Sequence, residues 1–456
     1  MNSPASAGCS RVRHVSLHIG VTLTLLVTVL AAGLGVAPAS ARANALWTRT
    51  YAPPGALGLG DVRIAVAGTG DVYVAAWVVH AGTVSDLWLA RYSAAGARKW
   101  IRTYDGSAHG IDVPVALVAD RDGNVSLLAD SRATATGADW LLLRYRRDGR
   151  KLWSKRVDGG VHGEDVPTDL VADAKGNLYA VGQMARPSTG TDLTAIKYAP
   201  SGRRLWTRAY DIVGQSEIGG PAALGRDGRF YVCGQTSTPA TNLDLLLVCY
   251  TTSGEYKWSR SWTSGNRWEM PADIVADSRG PVVVGWNSPP GSYSDALAVA
   301  YEPDGDVRWT ASHDGAPHQD DGYVAAGLDS SGRVYVAGYD TPAGNERDFF
   351  LGRYPATGGA LQSTSRNGLQ NVDDEAAALA VSADGHVYAA GSVKWYAIGL
   401  SAFYLAYAPD WTQIDVGIYD GPGNASDAYQ AVGLSSSAVY LAGTSYLSIV
   451  VEKYAR

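Results

Sequence analysis

The sequence predicts an all-β fold: a single β-propeller of eight four-stranded blades, with the first strand of the chain completing the last blade. Two observations carry most of this. Tyr is followed eight residues later by Trp at Tyr92/Trp100, Tyr145/Trp153, Tyr198/Trp206, Tyr250/Trp258 and Tyr301/Trp309. The Tyr alone continues at Tyr354, Tyr407 and Tyr454, so that successive tyrosines lie 53, 53, 52, 51, 53, 53 and 47 residues apart. A fixed period in this range signals a stacked array or a propeller. The third observation is local: each repeat is a series of short apolar runs bounded by Gly, Asp or Pro, too short for helices.

Taken in order, the chain opens on a segment that reads as a signal peptide, residues 1–41. Arg11 and Arg13 supply positive charge, residues 19–36 are apolar and uncharged, and Ala39-Ser40-Ala41 and Ala41-Arg42-Ala43 fit small-x-small cleavage. Cleavage after Ala41 or Ala43 would export the remainder, and an uncleaved anchor is the alternative because the run nearly spans a membrane. Cys9 precedes the apolar run and is not placed to be a lipidated mature terminus. Without Arg11 and Arg13 the net charge moves from −6 to −8. An acidic exported chain without a basic run argues against a nucleic-acid partner.

The second repeat shows the blade. Residues 115–119 form an apolar run (strand a), Asp120-Arg121-Asp122-Gly123 is turn chemistry, and 124–129 is strand b. A polar loop over 131–138 leads to strand c at 139–145, Asp148-Gly149 turns the chain, and 152–157 is strand d. Strand b recurs eight times, as in Asn177-Leu178-Tyr179-Ala180-Val181-Gly182 and Arg333-Val334-Tyr335-Val336-Ala337-Gly338. One such sheet cannot bury both faces, whereas neighbours around a ring can. The d-type strand 47–51, with Trp47 in phase with Trp100 and Trp153, should join the a, b and c strands that end at 448–454, hiding a sheet edge. Only Cys233 and Cys249 remain in the mature region. An antiparallel register that sets Gly234 against Asp244 leaves them roughly 13 Å apart, too far for a disulfide, so they are expected as free thiols.

These phrases resemble the secreted bacterial β-propeller (SBBP) repeat family, in which an Asp and an apolar strand precede Asp-x-x-Gly-Asn-x-Tyr-x-x-Gly. The turn before Trp is more distantly similar to pyrroloquinoline-quinone-type propeller repeats. The resemblance covers nearly all of residues 44–456 and implies a propeller, not a reaction. No adjacent cysteine pair or matching carboxylate set is present, so quinone binding is not carried over.

Candidate site residues lie where strand d of one blade crosses to strand a of the next. Eleven residues before the a–b turn glycine stand Asp112, Asp165, Glu217, Glu269, Asp321 and Asp374; the first unit has Leu59 with Asp61 nearby, and the eighth has Ser426 followed by Asp427. Such carboxylates either accept backbone N–H bonds and fix the crossover or form a ring of oxygen ligands for a cation such as calcium at one mouth of the channel. His109, His162 and His318 precede three of them by three residues. They read as surface loop residues, or as acid–base or metal partners. A second series opens strand c, at Asp86, Asp139, Asp192, Asp244, Asp295 and Asp348, and is expected to tie down the b–c loop. The repeated Trp and Tyr should pack between blades. Trp77, Trp88, Trp262, Trp268, Trp286 and Trp395 break the pattern and are the better stacking candidates.

No catalytic residue is assigned and no cofactor is expected beyond calcium. The expected role is an exported, non-enzymatic binding module, working as a monomer through the face with the b–c loops and crossovers, where loops vary on a rigid scaffold. A glycan, a cell-wall polymer or a protein would be the partner. The alternatives are a lyase or glycan hydrolase at the acid-lined mouth, which would need two or more of those acids in the channel without backbone partners, and a structural cell-envelope protein.

Overall fold

A computed structural model describes residues 45–456 except 134–136, 162, 188–189, 213–214, 239–241, 266, 290–292, 316–318, 343–345, 369–371, 395–398 and 423–425. The expected signal peptide therefore lies outside the described residues. Thirty-two strands form eight four-stranded antiparallel sheets arranged radially as a propeller. Blades 1 to 7 occupy residues 58–104, 112–157, 166–210, 217–262, 268–313, 322–366 and 375–419. Blade 8 takes strands a, b and c from 427–455 and its fourth strand from Trp47–Tyr51. The a strands are innermost; each packs on the next, and that of blade 8 on that of blade 1. Among the described residues no helix is long and apolar enough to cross a membrane.

The closure is the one the sequence predicts. Trp47 pairs with Lys453 and Tyr51 with Ile449, antiparallel. The Thr48 hydroxyl donates to Glu452 at 2.6 Å, and buried Glu452 also accepts from Tyr429 and from Tyr454 at 2.7 Å. The strand from the far end of the chain is thus hydrogen-bonded by side chains as well as by its backbone.

The repeated Trp explains the repeated turn glycine. In strand d, the indole N–H of Trp47, Trp100, Trp153, Trp206, Trp258 and Trp309 donates to a carbonyl in the c–d turn of the next blade, at 2.9–3.3 Å. Its ring covers that turn's glycine. A Cβ on Gly202 would lie 2.9 Å from the Trp153 ring, and its φ of +82° is itself costly for any other residue. Where blade 6 has Gln362 in place of this Trp, the turn of blade 7 has Trp411 in place of the Gly. Trp411 keeps the left-handed backbone (φ 71°), and its ring lies 4.9 Å from the Arg353 guanidinium and packs on Tyr407. The volume lost from one blade is returned by the next.

Each a–b pair carries a bulge at one level of the ring. A bulge leaves backbone groups unpaired, and buried groups of that kind require partners. Side chains of neighbouring innermost strands supply them. Gln430 accepts from Val62 N at 2.8 Å, Arg63 donates to Val115 O at 2.8 Å, and Thr168 donates to Gly220 O at 2.6 Å. Asp169 accepts from Ala222 N at 3.0 Å and Asp273 from Ala326 N at 2.8 Å. Hydrophobic alternation carries no trace of these five residues.

Cys233 and Cys249 are free and buried, as expected, but the register differs from that read in the sequence. Thr236, not Gly234, faces Asp244, and Cys249 faces Tyr231. The pairing runs on to Thr238 and Asn242, so the b–c connection is tighter than its composition suggested and the whole strand shifts by two residues.

Candidate functional site: the crossovers and the loop face

The crossover acids begin, or immediately precede, strand a, and Asp112, Asp165, Glu217, Glu269, Asp321, Asp374 and Asp427 are all closed off from solvent. Most hold the crossover by its backbone. Asp112 accepts from Gly106 N at 2.7 Å and from the Ser131 hydroxyl. Asp165 accepts from Gly159 N and, at 2.8 Å, from Ala185 N. Asp321 takes Gly315 N at 2.6 Å and Thr341 N at 2.9 Å, Asp374 takes Gly368 N and Lys394 N, and Asp427 takes Gly421 N at 2.7 Å. Burial raises the carboxyl pKa in each, and the amides pull it back.

Asp427 is therefore the eighth-blade member, one residue from the position counted in the sequence. The count started from the a–b turn glycine, which blade 8 lacks. The reliable signal is the glycine six residues before the acid, whose amide the carboxylate takes. A Cβ on Gly159 would stand 2.8 Å from Asp165 Oδ1. Where that glycine is replaced, by Ile212 or Ser264, the crossover is one residue shorter and the acid is Glu. An extra methylene makes up the lost reach. Glu269 Oε1 accepts from Ser264 N at 3.0 Å and from its hydroxyl at 2.6 Å. Glu217 Oε1 accepts from the Thr236 hydroxyl at 3.3 Å, the Ile212 backbone lowers its carboxyl pKa, and its Oε2 has no hydrogen-bond partner among the described residues. Burial, reinforced by Asp211 and Asp192, pushes Glu217 up to about 7.

The strand-c acids act on the same loops. Asp139 accepts from Arg156 at 2.6 Å, Asp192 from Arg186 at 2.8 Å and Asp295 from Arg267 at 2.5 Å. With Asp158 and Asp211, which directly follow strand d, members of the two series form two groups among the described residues close enough to hold a metal ion: Asp139, Asp158 and Asp165, and Asp192, Asp211 and Glu217, with one oxygen from each residue within 4.8 Å of the others in its group.

His109 is exposed on a left-handed turn (φ 49°), its Nδ1 2.6 Å from Asp105 Oδ2. His162 and His318 lie outside the described residues, as does Trp395. Of the irregular tryptophans, Trp88 is buried, stacked on Tyr51 of the closing strand at 5.3 Å. Trp77, Trp262 and Trp286 are half-buried, and Trp77 donates to Asp61 at 2.8 Å. Trp268 is 44 % exposed and Tyr293, in the b–c loop of the same blade, 56 %. Trp268 pairs with Ser288, so Trp286, two residues along, shares its sheet face.

The opposite face carries a groove of about 550 Å³ between blades 2 and 3, lined by Asp120, Arg144, Asp173, Lys175 and Pro200 among others. It opens because Pro200 occupies the place of Arg147, which closes the preceding interface on Asp71. Its buried cation is already used, with Arg144 2.7 Å from Asp120 and 3.2 Å from Ser126.

No protein-family model matches the chain, and no curated protein does. Among solved structures, it is similar to the WD40 domain of SCAP from fission yeast, at 10 % identity with a TM-score of 0.48, over 89 % of this chain and 98 % of that one.

Proposed function

We propose that this chain is an exported, non-enzymatic binding module of the secreted bacterial β-propeller repeat type, taking its ligand on the face of the b–c loops and crossovers. The observation that carries it is two exposed aromatics of blade 5, Trp268 at the start of strand a and Tyr293 in the b–c loop. Flat rings with polar edges suit the alternating apolar faces and hydroxyls of a glycan or cell-wall polymer. The crossover acids Asp112, Asp165, Glu269, Asp321 and Asp374 enter this reading through the loops they hold. With backbone amides on them, they lend no support to a lyase or glycan hydrolase at the channel mouth. Calcium is the ion that all-oxygen carboxylate groups suit.

Binding of residues 42–456 to a panel of glycans and cell-wall polymers, with and without calcium, tests the reading. Trp268→Ala and Tyr293→Ala should each weaken binding at least about tenfold, the loss of one buried aromatic contact. Tyr256→Ala, an exposed aromatic at the other face, should not. No binder in the panel, or equal loss from all three variants, would turn the reading toward a structural envelope protein. Mass analysis of the protein from culture medium tests the export, with cleavage after Ala41 or Ala43 expected.

A further inference from the structure

The geometry points to a divalent-cation site of calcium type at the crossover from blade 3 to blade 4, ligated by Asp192, Asp211 and Glu217. The inference goes beyond the ligand reading above and stands without it.

The argument is a comparison inside one molecule. At the crossover from blade 2 to blade 3, Asp139, Asp158 and Asp165 gather in the same way. There Arg156 supplies the countercharge, its guanidinium on Asp139 Oδ2 at 2.6 Å and on Ser131 Oγ at 2.6 Å, and Asp165 spends both oxygens on amides. One repeat later the residue in the place of Arg156 is Ala209: Arg156 pairs with Leu141, and Ala209 with Thr194. The place of Ser131 is taken by Met184, which faces Asp192 as Ser131 faces Asp139. The trio of carboxylates persists, but its arginine now comes from strand b: Arg186 donates to Asp192 Oδ2 at 2.8 Å. Each trio therefore keeps one arginine and a net negative charge, and the two differ in where that cation sits and in the crossover acid.

A second, independent feature points to a ligand. Glu217 is fully buried and its Oε2 has no hydrogen-bond partner among the described residues. A buried carboxylate oxygen without a donor is costly, and like charges crowded beside it make ionisation costlier. A cation among the three oxygens removes both penalties. Carboxylate oxygens suit a hard ion. Asp211 is exposed, so water can complete the shell, and the Gln215 amide oxygen, 2.6 Å from the Thr236 hydroxyl that also meets Glu217, stands at its edge.

Terbium luminescence tests this directly, because Tyr210 adjoins Asp211 and can sensitise the ion. Residues 42–456, stripped with a chelator, should show one saturable Tb³⁺ site displaced by Ca²⁺. Asp211→Asn, a surface change that leaves the core intact, should weaken it by about tenfold or more, as loss of one charged ligand does. Ala209→Arg should abolish it by placing a second internal cation among the carboxylates, and Asp165→Asn should leave it unchanged. No saturable binding by the parent protein, or parent-like binding by both Asp211→Asn and Ala209→Arg, would overturn the site, as would loss of binding in Asp165→Asn alone.

Discussion

The crossovers from blade 2 to 3 and from blade 3 to 4 have the same backbone task and nearly the same acids, yet they are satisfied differently. In the first, an arginine and two amides complete the carboxylates. In the second, Ala209 stands in the place of Arg156 and Arg186 reaches the strand-c acid instead, the glycine is Ile212, and the acid is a Glu whose Oε2 has no partner among the described residues. The difference shows that a repeated acid is not a repeated function. The repeat conserves the need to fix a loop, and departures from the common solution mark where a carboxylate has capacity to spare.

The sharpest break is to neutralise the two acids in turn. Asp165→Asn keeps one acceptor oxygen but turns an NH2 group toward the other half-buried amide and removes the charge from both bonds, and should cost about 2–3 kcal/mol, the range for hydrogen bonds to charged groups. Glu217→Gln, without divalent ions, should cost under about 0.5 kcal/mol, because it also removes a poorly solvated charge. Urea unfolding in chelator measures both, and equal losses would erase the distinction. Next comes Arg156→Ala. Water reaches this side chain, so removing it should cost about 1–2 kcal/mol, and calcium should restore part of the loss by entering the vacated place. A loss that calcium leaves untouched would mean that the two crossovers are not interchangeable.

The smallest effect extends the contrast to the channel. Asp169 has Arg63 to lower its carboxyl, whereas Asp273 has no such cation among the described residues and burial pushes it up to about 7. Its folded value lies above the unfolded one near 4, so the native state holds the proton more tightly. The resulting stability is present in full below pH 4 and is lost as the pH rises through 7. Because Asp273 is only half-buried, solvent screening tempers the effect to about 1 kcal/mol between pH 5 and 7.5. Asp273→Asn should flatten that slope in urea melts, and an unaltered slope would assign it to other groups.

What was legible in the sequence follows from these particulars. The eight b strands carried the blade number, and Trp47 in phase with Trp100 and Trp153 carried the closure, because each such d-strand Trp must pack on the next blade's turn. Asp427 was displaced by one residue because the a–b turn of blade 8, Ser435-Ser436-Ser437, lacks the glycine used as a ruler. The shorter spacing from Ile212 and Ser264 to Glu217 and Glu269 was present in the letters, but only the backbone contact gives it meaning. Arg63, Asp169, Asp273 and Gln430 were invisible, since a bulge leaves no mark in apolar alternation. Trp88 looked irregular because its partner, Tyr51, lies on the strand that completes blade 8 from the far end of the chain.

That far end has a kinetic consequence. The residue that accepts the hydroxyl of Thr48, Glu452, is synthesised 404 residues later. Seven blades can form from neighbouring segments as they emerge. The eighth must wait for its oldest strand, which has no sheet to join until almost all the rest is made. During that interval Trp47–Tyr51 is an unpaired edge with two aromatics, and the growing arc is open at both ends. Ring completion is then one late, long-range step with a high loop-closure cost, and a second chain's strand could take the vacant place before the chain's own does.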